Sequence, residues 1–165
     1  FDSCPCNSRE NIMKYAFFLT FTLFLLAHSN QSFAVYYSVI GPCSSTPISQ
    51  GVFPTDLSDS VGQITIDILD LQKIPFVGSE QGIASIANSP VGLDAFEVLS
   101  DVKMRSYGWC YSINGEIPDV LASQSFFTEQ SDYLVWFYGY STYDQGVWTD
   151  YCVPSYKIKT KQFCK

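Results

Sequence analysis

Tyr107-Gly108-Trp109-Cys110-Tyr111-Ser112-Ile113-Asn114-Gly115 is the stretch on which the fold turns. Trp109, Tyr111 and Ile113 alternate with small or polar residues, the period-two pattern of a strand with one apolar face. Asn114-Gly115 follows at once. Both positions of a tight hairpin turn need positive φ, which Asn and Gly tolerate best, so the run predicts a strand entering a hairpin. Working outward, Asp132–Tyr140 (DYLVWFYGY) and Val147–Cys152 (VWTDYC) read as further strands. Upstream, Gln63–Leu69 sets Ile64, Ile66 and Ile68 against Thr65 and Asp67, which predicts a half-buried strand. Ile74–Val77 predicts a second, short one, with Gly78 and Gly82 breaking the pattern. Ser89-Pro90 has the form of a helix start, with Ser as cap and Pro in the first turn. The following VGLDAFEVLSD puts Leu93, Phe96 and Leu99 or Val98 on one stripe, so a single short helix is expected there. Gly41–Ser60 is rich in Ser, Pro, Thr and Gly and reads as loop.

This order, strands around one helix, predicts an α+β domain with a mixed or antiparallel sheet. A β-grasp-like arrangement fits best, and a β-sandwich is the alternative. The composition agrees. Aromatic residues make up 16% of the chain and charged residues only 15%, which suits a folded, strand-rich domain rather than a disordered one.

From Met13 the chain reads MKYAFFLTFTLFLLAHSNQSFA: one lysine, an apolar run from Ala16 to Ala27, then Ser32-Phe33-Ala34. Residues 13–34 therefore read as a signal peptide cleaved before Val35, the run being too short for a spanning helix. Residues 1–12 read as a leader outside the native protein. Within the remainder, residues 35–62 read as a loop-rich extension, 63–153 as the domain, and 154–165 as a basic tail. Secretion, to periplasm or extracellular space, is the expected localisation, with no stable membrane insertion after cleavage.

Several chemistries drop out. The one histidine, His28, lies in the signal segment, so the exported chain has no imidazole for a Ser-His-Asp or Cys-His site. The net charge of −7 opposes nucleic-acid phosphates. Lys157, Lys159, Lys161 and Lys165 crowd the tail and read as solvated. Cys43, Cys110, Cys152 and Cys164 survive processing, and an even number in an exported chain implies two disulfides with three pairings open. The expected pairing joins Cys110 to Cys152, both in apparent strands, and Cys43 to Cys164, tying the ends.

Three stretches carry a family resemblance: Val91-Gly92-Leu93-Asp94-Ala95-Phe96, the run Gly108–Glu116 (GWCYSINGE), and Asp132-Tyr133-Leu134-Val135-Trp136-Phe137-Tyr138. In order and spacing they resemble the helix, hairpin and closing strand of the transcobalamin C-terminal-like family. This is a bacterial secreted domain of unknown function that also forms the β-domain of transcobalamin and intrinsic factor. The resemblance spans about Gln63 to Tyr140. It leaves out Val35–Ser60 and the chain after Tyr140, and Cys110 and Cys152 are not part of its pattern. It implies a β-grasp-like domain that binds a soluble ligand, cobalamin being the family's example, with Trp109 placed near the corrin. The helical domain that covers cobalamin's other face in the vertebrate relatives has no counterpart here.

Trp109, Tyr111, Trp136 and Tyr138 are the candidate ligand-binding aromatics, since Tyr and Trp pair a flat apolar face with a polar edge. Sheet core is the competing role for each. Asn114, at the turn, is the fifth candidate. Glu116 with Asp119 is a weak carboxylate pair for glycoside chemistry. Asp56 with Asp59 and Asp67 with Asp70 lack a calcium loop, and no serine is marked out beside Lys73 or Lys103. No catalytic or metal site and no certain cofactor is expected. The reading is a secreted, non-enzymatic small-ligand-binding domain, with cobalamin or a similar flat corrinoid as the ligand the resemblance suggests. The alternative is a protein-interaction or surface-display module that binds an extracytoplasmic protein.

Overall fold

The computed structural model describes residues 33–165. The leader reading of residues 1–12 and the signal peptide up to residue 32 lie outside the described residues. Phe33 and Ala34, the last two positions before the expected cut, open the first strand.

Strands β1 (Phe33–Ile40) and β2 (Pro47–Thr55) form an antiparallel hairpin. Helix α1 (Val61–Leu71) follows, then the small hairpin β3 (Phe76–Ser79) and β4 (Gly82–Ile86). Strands β5 (Phe96–Ser100), β6 (Lys103–Ile113), β7 (Tyr133–Asp144) and β8 (Val147–Pro154) complete the chain. Six of the strands make one mixed sheet in the order β2-β1-β7-β6-β5, with β8 also on β7. β1 runs parallel to β7 along Tyr133–Phe137, and β8 takes over the same edge of β7 from Gly139 to Asp144. Over the described residues the protein is thus mostly β, with one short α-helix and a mixed sheet.

Residues 63–69 form helix, not the expected strand. The alternation of Ile64, Ile66 and Ile68 fits period two, but Val61, Ile64, Thr65, Ile68 and Leu69 are the residues buried. Those five, with Gly62 buried beside them, are spaced at 3, 4, 7 and 8 from Val61, the stripe of a helix. Ser60 caps the helix, its Oγ accepting the Gln63 N–H at 3.1 Å. The expected helix from Ser89 is, conversely, one 3-10 turn (Gly92–Ala95) followed by edge strand β5. Gly92 sits at φ +59°, which breaks the expected helix at its third residue. The Ser89 hydroxyl is engaged elsewhere, accepting from Ile86 N and Trp109 Nε1, and cannot cap. Leu93 is consequently 90% exposed.

The loop reading of residues 41–60 fails over Pro47–Thr55, which is β2. Residues 35–62 are accordingly sheet and helix start rather than a loop-rich extension, and β1 is an internal strand. Residues 154–165 are not a loose tail either. Ser155 is fully buried, its one hydroxyl proton within reach of two carbonyl acceptors, Tyr138 O at 2.8 Å and Pro42 O at 2.9 Å. Phe163 packs edge-on against Tyr107 and Tyr138. The four lysines stay exposed.

Both disulfides form as expected. Cys43–Cys164 joins the β1–β2 loop to the C-terminus, and Cys110–Cys152 joins β6 to β8. The second bridge crosses over β7 at Gly139, where a Cβ would lie 3.3 Å from Cys110 Sγ and Val153 O. β8 reaches that position through a bulge between Thr149 and Val153, with Asp150 and Cys152 at φ +51° and +52°.

The main core lies between one sheet face (Val35, Tyr37, Val39, Tyr111, Leu134, Trp136) and the layer of α1 with β4, which supplies Ile64, Ile68, Leu69, Ile83 and Ile86. A smaller cluster holds Tyr107, Tyr138 and Ala95, with Phe163 and Ile158 against it.

Candidate ligand cleft

Register places Trp109 opposite Tyr138 and Tyr111 opposite Trp136, so all four aromatics share one sheet face. The layer above that face decides their roles. Trp136 is 2% exposed, and its indole N–H donates to Thr65 Oγ1 on α1 at 2.8 Å. Tyr138 is 0% exposed, its hydroxyl donating to Pro90 O at 2.8 Å. Burial pushes its phenol pKa far up, so Tyr138 is a core residue. Tyr111 is buried over most of its surface; its hydroxyl donates to Val120 O at 2.8 Å, and burial raises its pKa. Trp109 is half-buried, its indole N–H donating to Ser89 Oγ at 2.8 Å, its ring edge-on to Tyr138.

Beside Trp109 lies a cleft of about 430 Å³. One wall is Gln81 and the start of β4, Gly82–Ala84; another is Trp109–Tyr111 of β6; the third is Ile117, Pro118, Val120, Leu121 and Ala122; Trp136 and Cys152 complete the lining. The Tyr111 hydroxyl holds the third wall through Val120. The volume lies within the range of small-molecule sites, about 300–1,000 Å³. Trp109, Tyr111 and Trp136 of the five candidates are therefore brought together, while Tyr138 packs behind them.

Asn114 stands apart. It and Gly115 adopt the expected left-handed turn, with φ +54° and +87°. The turn returns for a single bridge, Ile113 with Glu116, and no strand follows. Pro118, lacking an N–H, cannot continue a ladder. The Asn114 side chain is committed to the protein: Nδ2 donates to Asp132 Oδ1 at 2.8 Å, and Oδ1 accepts the Tyr133 N–H at 2.9 Å. The depression it lines is bounded by the one segment 113–118, so it offers a single wall.

The other carboxylates are dispersed. Glu116 and Asp119 are exposed on the connection. Asp56 accepts the Ser58 N–H, and Asp67 accepts from Gln63 Nε2. Lys103 pairs with Asp144 at 2.8 Å. Among the described residues no group of three His, Cys, Asp or Glu is placed to hold a metal ion, and no helix is long and apolar enough to cross a membrane.

Sequence reasoning missed two of the three walls. Gln81–Ala84 and Ile117–Ala122 carry no chemical motif. The apolar run Ile117-Pro118 and Val120-Leu121-Ala122 straight after a turn was the available signal.

No family model matches the chain, and no curated protein matches it. A solved structure from Ruminococcus gnavus ATCC 29149, of a protein to which metal binding has been ascribed, is similar over 64% of this chain and 95% of its own, at 14% identity and a TM-score of 0.39. A likeness this distant leaves function to be argued from the site.

Proposed function

We propose that this chain is a secreted, non-enzymatic domain that binds a small, partly apolar ligand in the cleft beside Trp109. One observation carries the reading: an aromatic strand edge and two apolar walls converge on a cavity of ligand size, with no titratable side chain other than the Tyr111 phenol among its lining residues. Such a lining suits desolvation and stacking, and supplies neither a general base nor a nucleophile. Secretion is supported by the two disulfides, which persist in oxidising compartments, and by the signal-like residues 13–34. N-terminal sequencing of the exported protein is expected to begin at Val35; a start upstream of Met13 overturns the leader assignment.

The resemblance to the transcobalamin C-terminal-like family, with its β-grasp-like domain, makes cobalamin or a related corrinoid the first ligand to test. Trp109 then stands where the family places a tryptophan near the corrin. A corrinoid is larger than the cleft and would enter by one edge, the rest remaining open to solvent or to a second protein. Titration of the oxidised 35–165 protein with cobalamin and cobinamide, followed by tryptophan fluorescence, is the test. Saturable quenching lost in a folded Trp109→Ala variant supports the reading. No response up to about millimolar ligand, a binding free energy weaker than about 4 kcal/mol, removes the corrinoid.

A further inference from the structure

The rim of the cleft holds an unused strand edge. Ile113 and Glu116 exchange both backbone hydrogen bonds, each N–H donating to the other's carbonyl at 2.9 Å. The Ile113 groups therefore point away from β7. Backbone groups alternate sides along a strand, so the N–H and C=O of Tyr111 and Trp109 point outward as well. β5 covers this edge of β6 only from Lys103 to Ser106. Among the described residues no strand pairs the edge from Tyr107 to Ser112, and Trp109, Cys110 and Tyr111 line the cleft.

The charged residues next in sequence to the lining are all acidic. Glu80, Glu116 and Asp119, each next in sequence to a lining residue, are exposed, and no Lys or Arg lines the cleft. An edge strand left open beside an apolar cavity is the arrangement by which sheets capture extended peptides, with main-chain bonds for affinity and pockets for alternate side chains.

We propose that the cleft's ligand is an extended peptide segment that adds to β6 at Trp109 and Tyr111, carrying apolar residues at alternate positions and Lys or Arg at its flanks. This rests on the reading of the cleft as a binding site and names the ligand's class. A peptide rising about 3.3 Å per residue spans the open edge with some five residues. Its alternate side chains enter the cavity toward Ile117 and Leu121, and its basic flanks meet Glu80 and Asp119.

The test is selection of a displayed random heptapeptide library against the oxidised 35–165 protein, followed by titration of the enriched peptide in synthetic form. Alternating apolar residues with basic flanks should be enriched. Affinity should fall with salt from about 0.05 to about 0.5 M. N-methylation of one central peptide amide should weaken binding about tenfold, the worth of one hydrogen bond. Ala84→Lys, an exposed change on the opposite wall, should weaken it at least as much. In NMR spectra the Trp109 and Tyr111 amides should be the ones that shift. A peptide that binds indifferently to N-methylation overturns the strand-addition mode. No enrichment, while cobinamide still quenches tryptophan and Ala84→Lys abolishes that quenching, overturns the peptide and leaves the cleft. Failure of both probes overturns the peptide together with the cleft.

Discussion

Trp136 shows how one side chain chooses between ligand and core. Its indole N–H donates to Thr65 Oγ1, which itself donates to Val61 O at 2.6 Å, so the sheet is bonded to the first turn of α1. Trp136→Phe keeps most of the shape and removes this link. Urea unfolding should show a loss of about 1–2 kcal/mol. Two carboxyls set the acid response. Burial alone would raise Asp132, but donors from Asn114, Thr128 and Glu129 outweigh it and hold its pKa below 3.8. Burial likewise acts upward on Glu97, and bonds from Tyr107, Thr160 and Arg105 bring it below 4.5. Folded carboxyls with lowered pKa values stabilise fully at neutral pH. That stability is lost as pH falls through the ordinary carboxylate range toward the folded values. The thermal midpoint should therefore drop below about pH 4.5, and less steeply in Asp132→Asn, which is itself destabilised at pH 7. At the alkaline end, burial and the bond to Glu97 raise Tyr107 from 10.0 to about 12. Stability should accordingly decline between pH 10 and 12, with Tyr107→Phe flattening that limb. The candidate aromatics were legible in the sequence as one face of two strands. Which of them met a cavity was not, because alternation gives the face and not what covers it.

At the scale of elements, α1 is where local pattern misled. Ile64, Ile66 and Ile68 satisfy a strand's period, and β-branched residues favour strands. Five buried positions at helical spacing and the Ser60 cap decide otherwise. Gly62 in the first turn is a sharper case. Propensity favours alanine there by about 1 kcal/mol. A Cβ, however, would run into the backbone carbonyl of Glu80 at the β3–β4 turn, which has no flexible side chain to move aside. Gly62→Ala should thus destabilise by about 1–3 kcal/mol in denaturant titration rather than stabilise. An unchanged or raised midpoint would show that the hairpin leaves room for a methyl group on α1. β5 is the converse case. Its apolar stripe reads as a helix, yet Gly92 at positive φ and the loss of Ser89 as a cap leave those residues on an exposed sheet edge.

Across the whole molecule the two disulfides are the strongest single constraints on the chain. Cys43–Cys164 closes a separation of 121 residues and Cys110–Cys152 one of 42. The loop-entropy relation gives about 5 and about 4 kcal/mol respectively. Cys43→Ala/Cys164→Ala should be the costlier pair in thermal unfolding, since it also frees the segment that carries Ser155, Thr160 and Phe163 into the core. The sequence by itself determined the strands around Trp109 and Trp136, the left-handed turn at Asn114-Gly115 and the number of bridges, two, with three pairings open. These rest on period-two alternation, positive φ and the parity of cysteines, which are local or countable. Tertiary structure alone decided the parallel insertion of β1 beside β7, the anchoring of the C-terminus and the cleft. Each depends on which distant residues cover a face or leave an edge bare, and no short-range pattern encodes that.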